Sequence, residues 1–217
     1  RHAKAEKAAR TSGDRDSKLL FEILKRYKAA LEQGKSARTV EFESKEEIKM
    51  AKELCLLTSK PVLYVCNVDE ASAKDGNAYT KQVEEAAKAE GAEMLIVAAK
   101  IESDIAEFES YEEKQLFLSE LGLEQSGVAR LIQAAYHLLD LQTFLTAGEQ
   151  EVKAWTFTRG WKAPQCAGVI HSDFEKGFIR AEVVSFDDLM KCGSMAAAKE
   201  KGLVRLEGKD YVMQDGD

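Results

Sequence analysis

The chain predicts an α/β fold organised round one β-α-β unit, with a helical arm ahead of it and a small α+β domain behind. Three observations carry this. Lys60 to Glu70 reads Lys-Pro-Val-Leu-Tyr-Val-Cys-Asn-Val-Asp-Glu, in which Val62 to Cys66 form a short apolar run, rich in β-branched and aromatic residues, that stops at Asn67. Met94 to Ala98 is a second run of this kind, and a helical pattern from Ala78 to Glu90, closed by Gly91, separates the two. From Thr143 onward, short alternating stretches gather around one helical piece, the pattern of an α+β domain.

The totals narrow the function classes. A chain of 217 residues, 45% hydrophobic and 32% charged, is globular rather than disordered and fills one or two domains. Its net charge of −7 argues against coating nucleic acid by bulk charge, while leaving room for a local basic face. Cys55, Cys66, Cys166 and Cys192 lie far apart with no Cys-x-x-Cys pair, which indicates neither a zinc site nor a disulfide framework and suits a reducing cytoplasm. No apolar run reaches membrane-spanning length. The opening residues, Arg1-His2-Ala3-Lys4, lack an initiator Met and a signal-peptide core, so the chain reads as a piece whose beginning lies elsewhere.

In chain order, residues 1–58 form the arm. Arg1 to Arg10 suits an exposed helix, interrupted by Thr11-Ser12-Gly13-Asp14. Leu20, Leu24, Tyr27 and Leu31 then recur at helical spacing, a seam that needs a partner helix either outside this sequence or in the short basic segment. Gly34-Lys35-Ser36 imitates the end of a phosphate-binding Gly-x-x-x-x-Gly-Lys-Ser loop. The match fails, because Ala29 stands where the first Gly belongs and the segment closes a helix instead of opening one. Ser44 and Glu47 make a capping box for a helix reaching Thr58, with Ile48, Ala51, Leu54 and Cys55 as its stripe.

Residues 59–146 form the α/β part. Parallel strands joined by a crossover helix bring their carboxyl ends side by side, and those ends are where open α/β sheets take ligands. Here they carry Asn67 to Glu70 on one strand and Ala98 to Lys100 on the other. Asn-x-Asp also makes turns, so the first stretch alone leaves both readings open. Ser110 with Glu113, and Ser126, cap two further helices, the second facing a core with Leu131, Ala135, Leu138 and Leu139. His137 has no second His or Cys at helical spacing and reads as a packed or surface residue.

These strand ends resemble the P-loop GTPases of the Obg type, in which one strand ends in an Asn-Lys-x-Asp base-recognition motif and the next in Ser-Ala-Lys. Asn67-Val68-Asp69-Glu70 and Ala98-Ala99-Lys100 depart from both. Glu70 in place of the final Asp and Val68 in place of the Lys resemble the YchF or Obg-like ATPase branch, which implies ATP rather than GTP. A displaced carboxylate loses its grip on guanine's N1 and N2 donors; that loss alone does not create affinity for adenine. The resemblance assigns base-side contacts to Asn67, Val68, Glu70, Ala98, Ala99 and Lys100, and implies magnesium held by residues outside this sequence. It makes the fold a partial P-loop NTPase sheet, Rossmann-like, with an inserted helical arm.

Residues 147–217 closely resemble the TGS domain of the same family, a ubiquitin-like β-grasp module. The match runs through Ala154-Trp155-Thr156, Lys162-Ala163-Pro164-Gln165, Ala167 to Val183 and Leu206 to Asp217, and the family adds one more strand after Asp217. Strands are expected at Glu151–Thr158, Phe178–Val184, Leu203–Leu206 and Tyr211–Gln214, with helices at Pro164–Ile170 and Ser194–Lys201. His171, Asp173 and Glu175 cluster within five residues, but no nucleophile or further ligand accompanies them, so neither a catalytic nor a metal site is indicated. Lys162, Lys176, Arg180 and Lys209, with Trp161, Phe174 and Phe178, make either a face for ribosomal RNA or a solvated surface over an aromatic core.

The resemblance therefore implies a ribosome-associated nucleotide-binding ATPase, hydrolysing ATP or GTP in the whole protein, with the arm and TGS domain docking ribosome or RNA. Without a phosphate loop, this stretch is expected to be inactive by itself. The alternative is a binding or regulatory module that recruits ribosome, RNA or a protein partner without catalysis.

Overall fold

A computed structural model describes residues 1–148 and 151–217, which divide into two compact units, Arg1–Val128 and Ala129–Asp217.

The first unit opens with α1 (His2–Ser12), which ends on Gly13 at φ +64°, a left-handed conformation that glycine adopts without steric cost. α2 (Arg15–Glu32) starts on Asp14, whose carboxylate accepts the Ser17 N–H. α1 packs along α2: Ala5 is buried, and the His2 and Phe21 rings lie 5.2 Å apart, while the seam residue Tyr27 packs with Ala37, Ala51 and Phe42. α2 has a second neighbour in α3 (Lys45–Glu53), so Ile23, outside the predicted seam, is fully buried while Leu31 is exposed. Gly34-Lys35-Ser36 follows the close of α2.

The Ser44–Glu47 capping box is formed in full. The Ser44 N–H and the Arg26 guanidinium, 3.0 Å away, hold the Glu47 carboxyl below its ordinary value. α3 is shorter than predicted, because Cys55 takes a positive φ and a 3-10 turn follows at Leu57–Ser59. Its inward side is also one step round: Glu47 and Ala51 are buried and Met50 and Leu54 pack beside them, whereas Ile48 and Cys55 are exposed.

The β-α-β unit consists of β1 (Leu63–Asn67), α4 (Ala78–Glu90) and β2 (Glu93–Val97). The strands pair in parallel, with Leu63 beside Glu93 and Asn67 beside Val97. The Asn77 side chain accepts the N–H groups of Tyr79 and Thr80 to start α4, and Gly91 ends it in the left-handed conformation. β1 is not buried throughout: Val65 is 46% exposed, so one face stays open among the described residues. α5 (Ala99–Glu107) and α6 (Tyr111–Glu120) close a core of Ala73, Ala98, Ile101, Ile105 and Leu118. α7 (Gly127–Leu138) begins in this unit and continues into the second; Leu139, expected to face a core, is exposed.

In the second unit a strand that was not expected precedes the one predicted at Glu151–Thr158. β3 (Leu141–Ala147) pairs antiparallel with β4 (Val152–Thr158), placing Phe144 opposite Trp155. α8 (Ala163–Ile170) has Pro164 in its first turn, where a missing N–H costs nothing. α9 (Ser172–Lys176) and β5 (Ala181–Val183) follow. β5 is shorter than predicted, because Ile179 and Arg180 both face solvent and break the alternation. α10 (Phe186–Cys192), unforeseen, is capped by Ser185, which accepts the Asp188 N–H. α11 (Met195–Glu200) and β6 (Arg205–Glu207) complete the order, β6 pairing antiparallel with β5. Tyr211–Gln214 contributes one bridge, Val212 to Lys162, instead of a strand.

The core of this unit is Phe144, Phe157, Ala163, Cys166 and Met213, ringed by Trp155, Trp161, Ile170, Phe178 and Tyr211. Burial pushes the Cys166 thiol up to about 11, and it packs in this core as an apolar group.

Candidate functional site

The parallel register sets the two strand ends level, and Asn67 ties them together. Its Oδ1 accepts the Ala99 N–H at 3.0 Å, and one residue on, the Val68 N–H donates to the Val97 carbonyl at 2.9 Å. The Val68 side chain packs on the core beside buried Ala98, so these two act as floor. The Asn67 amide Nδ2 has no partner among the described residues and is an exposed donor. Ala99 and Lys100 open α5 and are exposed, Lys100 with no partner among the described residues. Asp69 is a cap, its carboxylate accepting the Ser72 N–H at 2.9 Å, which leaves exposed Glu70 as the carboxylate without a bond at the tip. All six predicted base-side residues thus lie on two adjoining strand ends.

Glu102 supports this platform, a role the sequence did not show. It lies one turn along α5 from Ala99, and its carboxylate accepts the N–H groups of Gly127 and Val128 at 2.6 and 3.0 Å. A carboxylate also favours the positive end of α7. Gly127 lacks a side chain for a reason: a Cβ there would sit 2.9 Å from Val97 Cγ1 and from the Glu102 carboxylate. Capping across 25 residues leaves no local pattern, so only the bare Gly127 was a signal.

The four basic residues of the second unit that were predicted to dock RNA separate into two pairs. The Lys162 Nζ lies 2.6 Å from the Asp210 carboxylate and holds that carboxyl below its ordinary value, and Lys209 is the next residue in the same turn. Lys176 closes α9 and Arg180 precedes β5; neither has an ion-pair partner among the described residues. Of the three aromatics, Trp161 and Phe178 belong to the core and Phe174 is 55% exposed. The His171 cluster is a helix start: its Nδ1 accepts the Asp173 N–H at 3.2 Å, and the Glu175 carboxylate lies against Gly168.

The chain matches the YchF-GTPase C-terminal family, described as a protein of unknown function (DUF933), over residues 141–217. It is 58% identical over 206 residues to the ribosome-binding ATPase YchF of Bacillus subtilis (strain 168), covering 94% of this chain and 56% of that protein. A protein of the same name from Mycoplasma genitalium is 45% identical over 216 residues. The structure of the Schizosaccharomyces pombe YchF GTPase superposes with a TM-score of 0.82 at 31% identity, over 93% of this chain and 53% of that one. The chain thus spans little more than half the length of the relatives it matches. The fold is that of an α/β chain of the P-loop NTPase class with a TGS module. Within that class, the chain belongs to the YchF family.

Proposed function

We propose that this chain supplies the base-binding side and the docking surfaces of a ribosome-associated ATPase. The observation that carries the reading is the Asn67–Ala99 bond, which locks the ends of β1 and β2 together and leaves the Asn67 amide as a free donor above an apolar floor. A purine presents N7 as an acceptor to such a donor, and Lys100 offers its stem to the ring face. N7 is common to adenine and guanine, so the preference for ATP over GTP rests on Glu70, whose exposed position on a turn does not fix it against a base edge.

Residues 1–58 serve as the arm, 59–146 as the later part of the nucleotide domain and 147–217 as the TGS domain. The arm and TGS domain dock ribosomal RNA or a protein partner, through Lys162, Lys176, Arg180 and Lys209 in the latter. A cytoplasmic setting goes with a ribosome partner, and among the described residues no helix is long and apolar enough to cross a membrane. Hydrolysis needs magnesium, which neutralises charge on the phosphates as the terminal one departs.

In the full-length protein, Asn67→Ala is expected to weaken ATP binding about tenfold or more, the effect of removing a base-directed donor and freeing the Ala99 N–H. Isothermal titration with a non-hydrolysable ATP analogue reads this directly. Affinity equal to that of the unsubstituted protein would remove the strand ends from the site.

A further inference from the structure

The segment 171–180 holds an arrangement that the core does not need. α9 puts Glu175 against α8 and so turns Phe174 outward, 55% exposed, its ring edge-on to that of His171 with centroids 6.0 Å apart. Ile179, 78% exposed, and Gly177 and Arg180 continue the same shallow groove. Lys176 and Arg180 flank it without ion-pair partners among the described residues, whereas Lys162 is already taken by Asp210. The Asp173 carboxylate on the rim lies 3.7 Å from the His171 ring nitrogen.

We propose that this groove binds one unstacked base of single-stranded RNA, with the ring of Phe174 under the base and Lys176 and Arg180 on the flanking phosphates. This rests on the reading of the second unit as a docking module and assigns the chemistry of that surface. An exposed flat ring with two unpaired cations beside it in the chain suits a nucleotide, which offers both a π face and a phosphate; an acidic peptide would use the cations and leave the ring in water. Gly177 has no side chain to hold a backbone away. Duplex RNA buries its base faces in the stack, so it is excluded as the preferred ligand.

The test measures binding of a labelled single-stranded oligoribonucleotide of about 12 nucleotides by fluorescence anisotropy. Phe174→Leu keeps an apolar side chain and removes the π face, and is expected to weaken binding about tenfold, while Phe174→Tyr stays within about twofold. Lys176→Glu with Arg180→Glu is expected to weaken binding and flatten its salt dependence. Phe174 is exposed, so circular dichroism of both variants should match the parent. If the charge reversal weakens binding and Phe174→Leu does not, the docking reading stands and the stacking site is wrong. Loss of ribosome co-sedimentation by Phe174→Leu with RNA binding unchanged would assign the groove to a ribosomal protein and also overturn it. If RNA binding and ribosome co-sedimentation survive reversal of Lys162, Lys176, Arg180 and Lys209 together, the docking reading itself fails.

Discussion

Replacing Phe157 with alanine is expected to cost the second unit about 3–5 kcal/mol, enough to unfold a small domain of ordinary stability. Phe157 is 1% exposed and lies edge-on to Phe144, with ring centroids 5.9 Å apart, in a core that also packs Cys166 and Met213. Removing the ring loses its burial and leaves a cavity that β4 cannot close, because its neighbours are held in the β3 ladder. Both tryptophans, Trp155 and Trp161, belong to this unit, so their fluorescence in a urea titration reports on it alone. A loss below about 1 kcal/mol would mean that the core is not where the structure puts it.

The second large effect is expected from Gly76→Ala in the first unit. Gly76 has φ +71°, a conformation that costs an L-residue about 1–2 kcal/mol. A Cβ there would lie 2.3 Å from Thr80 Oγ1 and 2.9 Å from Ile96 Cδ1. Thr80 cannot step aside freely, since its hydroxyl accepts the Asn77 N–H and donates to the Asn77 carbonyl, both at 2.8 Å, as half of the capping box of α4. Strain plus the lost cap should cost about 2–4 kcal/mol. Gly13→Ala is the control: φ is +64° there, but no atom lies within 4 Å of the added Cβ, so only the strain remains. Hydrogen exchange of α4 amides separates the two, and equal protection in both variants would contradict the clash.

The sequence made the first unit legible where order is local. Capping residues Ser44 and Ser110, the stop at Gly91 and the two apolar runs lie where the elements begin, end and pair. It misplaced what depends on tertiary neighbours. Ile23 was not part of the predicted seam and is buried because α3 covers a second side of α2, and Ile48 reads as core until α3 turns Met50 inward. Very short elements were lost for the same reason: β5 spans Ala181–Val183 and gains its identity only from pairing with β6, and α10 hid behind an apolar strand-like run despite the Ser185 cap. The position of the six residues proposed for the base was readable because they lie on strand ends, whereas Glu102 acts from a helix on the start of another, which spacing cannot show. Lys162 and Lys176 looked alike in sequence; only Asp210 distinguishes a paired lysine from a free one.

The most direct test of the account is where adenine sits. Photolabelling the full-length protein with 8-azido-ATP, followed by peptide mapping, should place the adduct within 67–70 or 97–100, with protection by excess ATP and loss in Asn67→Ala. An ATP-protected adduct confined to the second unit, or to residues of the arm, would contradict the assignment of the β1 and β2 ends to the base.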